Sequence, residues 1–321
     1  MDVCLMIEGQ EGVTWDRWTA LARACEELGF TGLFRSDHYL SFDHPNERGA
    51  LDAWTTLATL ASITERIRLG TLVSPVTFRH PAQVAKSLVT VDHASGGRVE
   101  LGLGAGWFER EHRAYGFAFP DPDERMAILG EQLEIVHRLW DVDEATVSFE
   151  GRHYRLEECP GLPKPVQRPH PPLIMGGGAG PRSAALAARW ADEYDVFSVA
   201  PQEAAERRAR ISAACEAIDR DPNEVRFSVM TTILVGADRR ELERRAAAMM
   251  GDDEDDDPAS FLERMRATKL VGTPEEVLER VGEYAAAGVR RIYLQDLLHD
   301  DMEMVELIGR EIVPRALELT G

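Results

Sequence analysis

The segment Gly32–Leu40, GLFRSDHYL, sets Ser36, Asp37 and His38 side by side at the end of an apolar run. An imidazole exchanges protons near neutral pH, and a neighbouring carboxylate can orient it or accept a hydrogen bond from a ligand. His38 is therefore the candidate acid–base residue, with Asp37 either bonding a ligand ring or orienting His38. The structural alternatives are a helix cap for Asp37 and an ordered loop histidine for His38. A second stretch, MGGGAGPR, runs through Gly176, Gly177, Gly178 and Ala179 into Pro181 and Arg182. Small residues let backbone N–H groups approach an anion, and a helix opened by a proline favours negative charge at its start. This stretch is neither a dinucleotide fingerprint, since no acidic ribose-binding residue closes the next strand, nor a P-loop, since no Gly-Lys-Ser/Thr follows. A third, GLGAGWFERE, spaces Gly102, Gly104 and Gly106 by two. On a strand that puts them on one face, either for tight packing or for close approach of a flat ligand.

What must position these groups is a regular alternation of elements. VCLMIE, GLFRS, IRLGTLV, RVELGLG, PPLIMGGG, DVFSV, VRFSVMTTILV and RRIYLQ read as strands, each followed by a segment of helical period. In the first such segment Trp15, Trp18, Leu21, Ala22, Cys25 and Leu28 fall on one helix face, with Thr14 placed to cap its start and Gly29 its end. Apolar strands separated by helices imply a parallel sheet covered on its outer face, and eight such units predict a closed α/β fold, the (β/α)8 TIM barrel. An open doubly wound sheet is the alternative. One barrel domain is expected over 1–321, interrupted by an insertion near residues 145–172 that is long enough to lie over the mouth as a lid, and by an acidic loop at 251–258.

Composition narrows the function. The net charge of −20 argues against nucleic acid or an anionic membrane as partner. Cys4, Cys25, Cys159 and Cys215 are scattered without a C-x-x-C pair, so no metal site is expected. The start MDVCLMIEGQ has no signal-peptide pattern, and a cytoplasmic location is expected.

Five segments, ELGFTGLFRSDHYL, IRLGTLVSPVTFRHPAQVAK, GGRVELGLGAGWFEREHRAYG, GGGAGPRSAALAARWADEYD and LVGTPEEVLERVGEYAAAGVRRIYLQ, together resemble the bacterial luciferase-like flavin and deazaflavin oxidoreductases. The resemblance implies a cofactor across the C-terminal mouth of the barrel with its phosphate at the strand-5 loop. Asp37 and His38 would then lie beside the ring, Leu72 and Val73 at a bulge behind it, and Ala105, Gly106 and Arg110 along its edge. Gly176, Gly177, Gly178 and Ala179 would hold the phosphate. SDHYL and GGGAGPR are closer to the branch that uses coenzyme F420, with FMN as the alternative. Sugar-phosphate dehydrogenases of that branch carry a catalytic Glu where this chain has Trp107, and Glu109 stands two positions further on, which argues against sugar-phosphate oxidation.

The resemblance thus implies hydride transfer between a deazaflavin and a small organic substrate, with Trp15, Phe78 and Trp107 as candidates for an apolar pocket. An FMN-dependent monooxygenase served by a separate flavin reductase and a non-catalytic cofactor-binding protein are the other readings. A homodimer is expected from families of this type.

Overall fold

The computed structural model describes residues 1–250 and 257–319. Eight parallel strands, β1 (Asp2–Ile7), β2 (Gly32–Arg35), β3 (Arg68–Thr71), β4 (Val99–Gly104), β5 (Leu173–Gly176), β6 (Glu193–Phe197), β7 (Arg226–Val235) and β8 (Arg291–Asp296), follow one another around the sheet. The ring closes where Asp2 of β1 pairs with Arg291 of β8. This is the closed barrel, and the open sheet is excluded.

The two faces of each strand explain the closure. Val3, Leu5 and Ile7 of β1 join the large outer core beneath the helices, while Cys4 and Met6 alternate inward to a small cluster with Phe34, Leu72, Ile174 and Tyr293. Below that layer Arg291 is buried between Glu100 and Glu193, with N–O distances of 2.6 and 3.0 Å. The barrel is therefore filled, and a ligand has room only at its ends.

Helix α1 (Trp15–Leu28) follows β1. It buries Trp18, Leu21, Ala22 and Cys25, the face its spacing predicts, and Thr14 caps it by accepting from the Arg17 N–H. Gly29, in the left-handed conformation at φ 77°, ends it. The other helices used below are α2 (Ala53–Ala61), α3 (Pro81–Ser95), α4 (Glu109–Tyr115), α5 (Pro122–Trp140), α6 (Pro181–Trp190) and α7 (Pro201–Glu216).

The insertion forms a hairpin, Thr146–Glu150 against Arg155–Pro160. It is not a lid. Glu131 on α5 accepts the N–H groups of Arg152, His153 and Tyr154 at the hairpin tip. Further on, Asp92 at the end of α3 accepts from the Val166 and Gln167 N–H groups, and Gln167 bonds Arg68 and Val99 O at the starts of β3 and β4. The buried Asp92 and the polar strand starts draw residues 166 and 167 down to the floor, while the hairpin tip stays on the outer wall, with Arg152 and His153 near Glu124 at the start of α5. Of the expected acidic loop at 251–258, residues 251–256 lie outside the described residues. No helix among the described residues is long and apolar enough to cross a membrane.

Candidate active site

Residues 36–38 leave β2 at its C-terminal end, so Asp37 and His38 stand at the barrel mouth as their position in the sequence predicts. Asp37 is 1% exposed. It takes a two-pronged ion pair from Arg79 of the β3–α3 loop and a 2.6 Å hydrogen bond from the Ser74 hydroxyl. Arg79 also reaches Asp52, the N-cap of α2, at 2.9 Å and the Tyr39 hydroxyl at 2.8 Å. One guanidinium thus fastens three segments of the mouth.

His38 has a different carboxylate. Its Nδ1 lies 2.8 Å from Oε2 of Glu111, a fully buried residue of α4. The other carboxylate oxygen of Glu111 accepts the N–H groups of Tyr39 and Leu40, fixing the loop that carries the imidazole. Burial works against the charged imidazole, but Glu111, with help from Glu8 and Asp37, outweighs it, and the His38 pKa lies above the usual histidine value. The expectation that Asp37 orients His38 is thereby corrected: Asp37 is engaged by Ser74 and Arg79, and Glu111 does the orienting. Glu111 carried little signal in the sequence, since Glu109 shares its short helix and only the helix face tells them apart.

Phe42, Trp107 and Phe108 stand edge-on around the His38 ring with centroids at 5.2, 5.8 and 6.1 Å. Trp107 is the member of the expected apolar trio that reaches His38. Phe78 packs beneath, against Tyr39 and Phe117, and Trp15 lies at the start of α1.

The Leu72–Val73 peptide is cis, and Ser74–Pro75 rejoins the sheet beside β4 after it. Val73 packs against the inner cluster of the barrel, and its contacts account for the spaced glycines. A Cβ on Gly102 would collide with Thr71 O and come within 2.9 Å of Val73 Cγ1, and one on Gly104 would lie 2.6 Å from Val73 Cγ2. A Cβ on Gly176 would lie 3.3 Å from Val73. The glycines make room for the bulge first, and through it for whatever rests on the bulge. Ala105 and Gly106 are half-buried behind it, with Gly106 in the left-handed region at φ 79°. Arg110 is exposed on α4 and makes no ion pair with a described residue.

At the Gly-rich loop the structure divides the expected donors. The Gly177 N–H goes to Asp195 O, and the Ala179 N–H to the buried Tyr194 hydroxyl at 2.9 Å. Gly178 and Gly180 give their N–H groups to no described residue. Arg207 of α7 supplies a charge that the sequence did not point to: its Nε and Nη2 pair with Glu203, and its Nη1 lies 3.9 Å from where a Cβ on Gly178 would stand. Arg182 is turned instead to Asp123 at 2.6 Å. Free N–H groups, a helix start and a guanidinium form a donor set that fits a phosphate monoester.

Beyond Phe42 a cavity of about 1370 Å³ opens across the ends of β1, β7 and β8. Glu8 lines it, held by Gln10 at 2.9 Å and Gln295 at 2.6 Å, as do Thr232 and Lys269. Among the described residues no group of three or more His, Cys, Asp or Glu could hold a metal ion.

A filled parallel barrel with a cis bulge after β3, a buried His–Glu pair after β2 and an anion-ready loop after β5 is the frame of a luciferase-like oxidoreductase. Residues 3–291 match the luciferase-like monooxygenase family, and the chain belongs to it. It is 31% identical to the FMNH2-dependent dimethylsulfone monooxygenase of Pseudomonas putida over 81% of this chain and 77% of that protein. It is 29% identical to the F420-dependent glucose-6-phosphate dehydrogenase of Nakamurella multipartita, over 94% and 92%. Among solved structures, an F420-dependent secondary alcohol dehydrogenase bound to an F420–acetone adduct shares the fold at TM-score 0.83 and 20% identity, covering 98% of each chain. Relatives using F420 and relatives using FMN are both present, so the family defines the class of cofactor.

Proposed function

We propose that this protein is a coenzyme F420-dependent oxidoreductase that reduces or oxidises a small organic molecule at the barrel mouth, with Asp37, Leu72, Val73, Ala105, Gly106 and Arg110 around the ring. The observation that carries the reading is the His38–Glu111 pair. A carbonyl that accepts a hydride needs a proton at the same moment, and the reverse reaction must give one up. Glu111 holds the proton on His38 at a pH where an ordinary histidine has lost half of it, and fixes Nδ1 so that Nε2 is the atom left to exchange it. The cofactor supplies the hydride chemistry when bound. Asp37, locked by Arg79 and Ser74, keeps the strand end against the bulge. Gly178, Gly180 and Arg207 bind the phosphate, and the aromatic groups packed around His38 leave its side chain 11% exposed.

F420 is favoured over FMN because an F420-dependent relative aligns over nearly the whole of both chains. Titration with oxidised F420 and, separately, with FMN, followed by fluorescence quenching, tests the assignment. Tight binding of F420 alone is expected. Preference for FMN moves the protein to the monooxygenases that need a reductase partner, and binding of neither refutes the cofactor reading.

A further inference from the structure

The surroundings of His38 say what kind of molecule it meets. Trp107 is 64% exposed although its ring is stacked on Phe108, 5.2 Å between centroids and 28° between planes. Phe42 touches both Trp107, at 5.4 Å, and His38, and it also lines the large cavity. An apolar wall therefore runs from open cavity to imidazole without a break. Large aromatic faces left in water at a concave site gain by being covered with another apolar surface, and flat rings suit the stacked and edge-on geometries available there.

The charge of the cavity excludes the opposite class of ligand. Among its described lining residues eight are Asp or Glu against three Lys or Arg. Asp300 pairs with Arg17, Asp301 with Arg245, and burial pushes Asp296 up to about 7, which leaves Glu8, Asp43, Glu47 and Glu303 to set the sign. Arg48 is paired with Glu11, and Arg244 lies within 3.8 Å of Asp301 and Glu303. Lys269 donates to the Ser198 hydroxyl and sits over the Phe197 ring, and burial lowers its pKa. A phosphate or sulfonate would enter a field of its own sign and find the two arginines already paired. Trp107, moreover, brings an indole to the place beside His38 and offers no charge.

We propose that the substrate is a flat, uncharged and largely apolar molecule seated against Trp107 and Phe42, and that phosphorylated or sulfonated molecules are turned away. The inference rests on the reading of His38 as the proton-exchanging group of the site. Calorimetric titration with menadione and with 1,4-naphthoquinone-2-sulfonate, which share a ring system and differ in charge, tests it with and without cofactor. Menadione is expected to bind at least tenfold more tightly than the sulfonate. Trp107→Ala is expected to weaken menadione about tenfold, while Trp107→Phe, which keeps an aromatic face, stays within about threefold of the parent. Equal or tighter binding of the sulfonate overturns the proposal, as does undetectable binding of menadione or indifference to Trp107→Ala. A separate fluorescence titration of the unaltered protein with F420 and FMN keeps the two ideas apart. Failure of both cofactors there sinks the functional reading, while the menadione comparison still decides the ligand class.

Discussion

Glu111 holds His38 from 73 residues away, its carboxylate shared between the imidazole Nδ1 and the backbone of the next two residues. The pair links a short helix after β4 to the end of β2, so the ionisation of the site and the shape of its loop depend on one side chain.

Replacing Glu111 by Gln tests that dependence. The His38 pKa, raised in the folded protein, should fall toward the ordinary value of about 6.5, because burial is then opposed only by the more distant Glu8 and Asp37. A raised folded pKa stabilises fully below about pH 6.5 and loses that stabilisation as pH rises through the folded value. The Glu111→Gln variant should thus melt well below the parent at pH 5.5, with the gap narrowing at pH 8.5. Imidazole proton shifts followed by NMR give the pKa directly, and an unmoved His38 titration would refute the coupling.

Arg79→Ala should cost about 3–5 kcal/mol, since it strands the buried Asp37 carboxylate. Adding Asp37→Asn to that variant removes the stranded charge and should recover a good part of the loss. Urea midpoints measured on the two variants check the order, and a double variant no more stable than Arg79→Ala would count against the ion pair.

The bulge makes a sharper pair of predictions. Gly104→Ala meets Val73 alone, whereas Gly102→Ala also meets the Thr71 backbone carbonyl. Each should destabilise by about 1–3 kcal/mol through overpacking. Val73→Ala should rescue Gly104→Ala and leave Gly102→Ala impaired. Thermal melts of the four variants decide it, and rescue of both would mean that Val73 alone determines the glycines.

Arg207→Gln should weaken the phosphate-bearing cofactor about tenfold, the size of one charge-assisted hydrogen bond of about 1.5 kcal/mol or more. Tyr194→Phe should loosen the loop through Ala179 and weaken binding less. Dissociation constants from the fluorescence titration test both, and an unchanged constant for Arg207→Gln would place the phosphate elsewhere.

The barrel was legible because strands buried on both faces are apolar throughout and the helices between them keep one apolar stripe. Asp37, His38 and the Gly-rich loop were legible because a barrel exposes chemistry where strands end. Glu111, Arg79 and Arg207 were not, because each acts on a partner distant in the chain and no local period marks it. The same limit misled the reading of Asp37, whose nearness to His38 in sequence suggested a bond that Arg79 and Ser74 take instead. The insertion was legible by its length but not in its direction, which is set by the buried acceptor Asp92 and by Gln167.

That direction bears on how this protein could be rebuilt. A long insertion in a barrel is a natural place to transplant specificity, but this one is anchored to the floor and the outer wall. Among the described residues, the thread from it toward His38 that the hydrogen bonds trace runs from Tyr154 to Gln132 and on to the carbonyl of Arg79. A chimera exchanging 145–172 with a relative should therefore inherit the donor's melting behaviour and keep its own choice of molecule, provided that Tyr154 is retained.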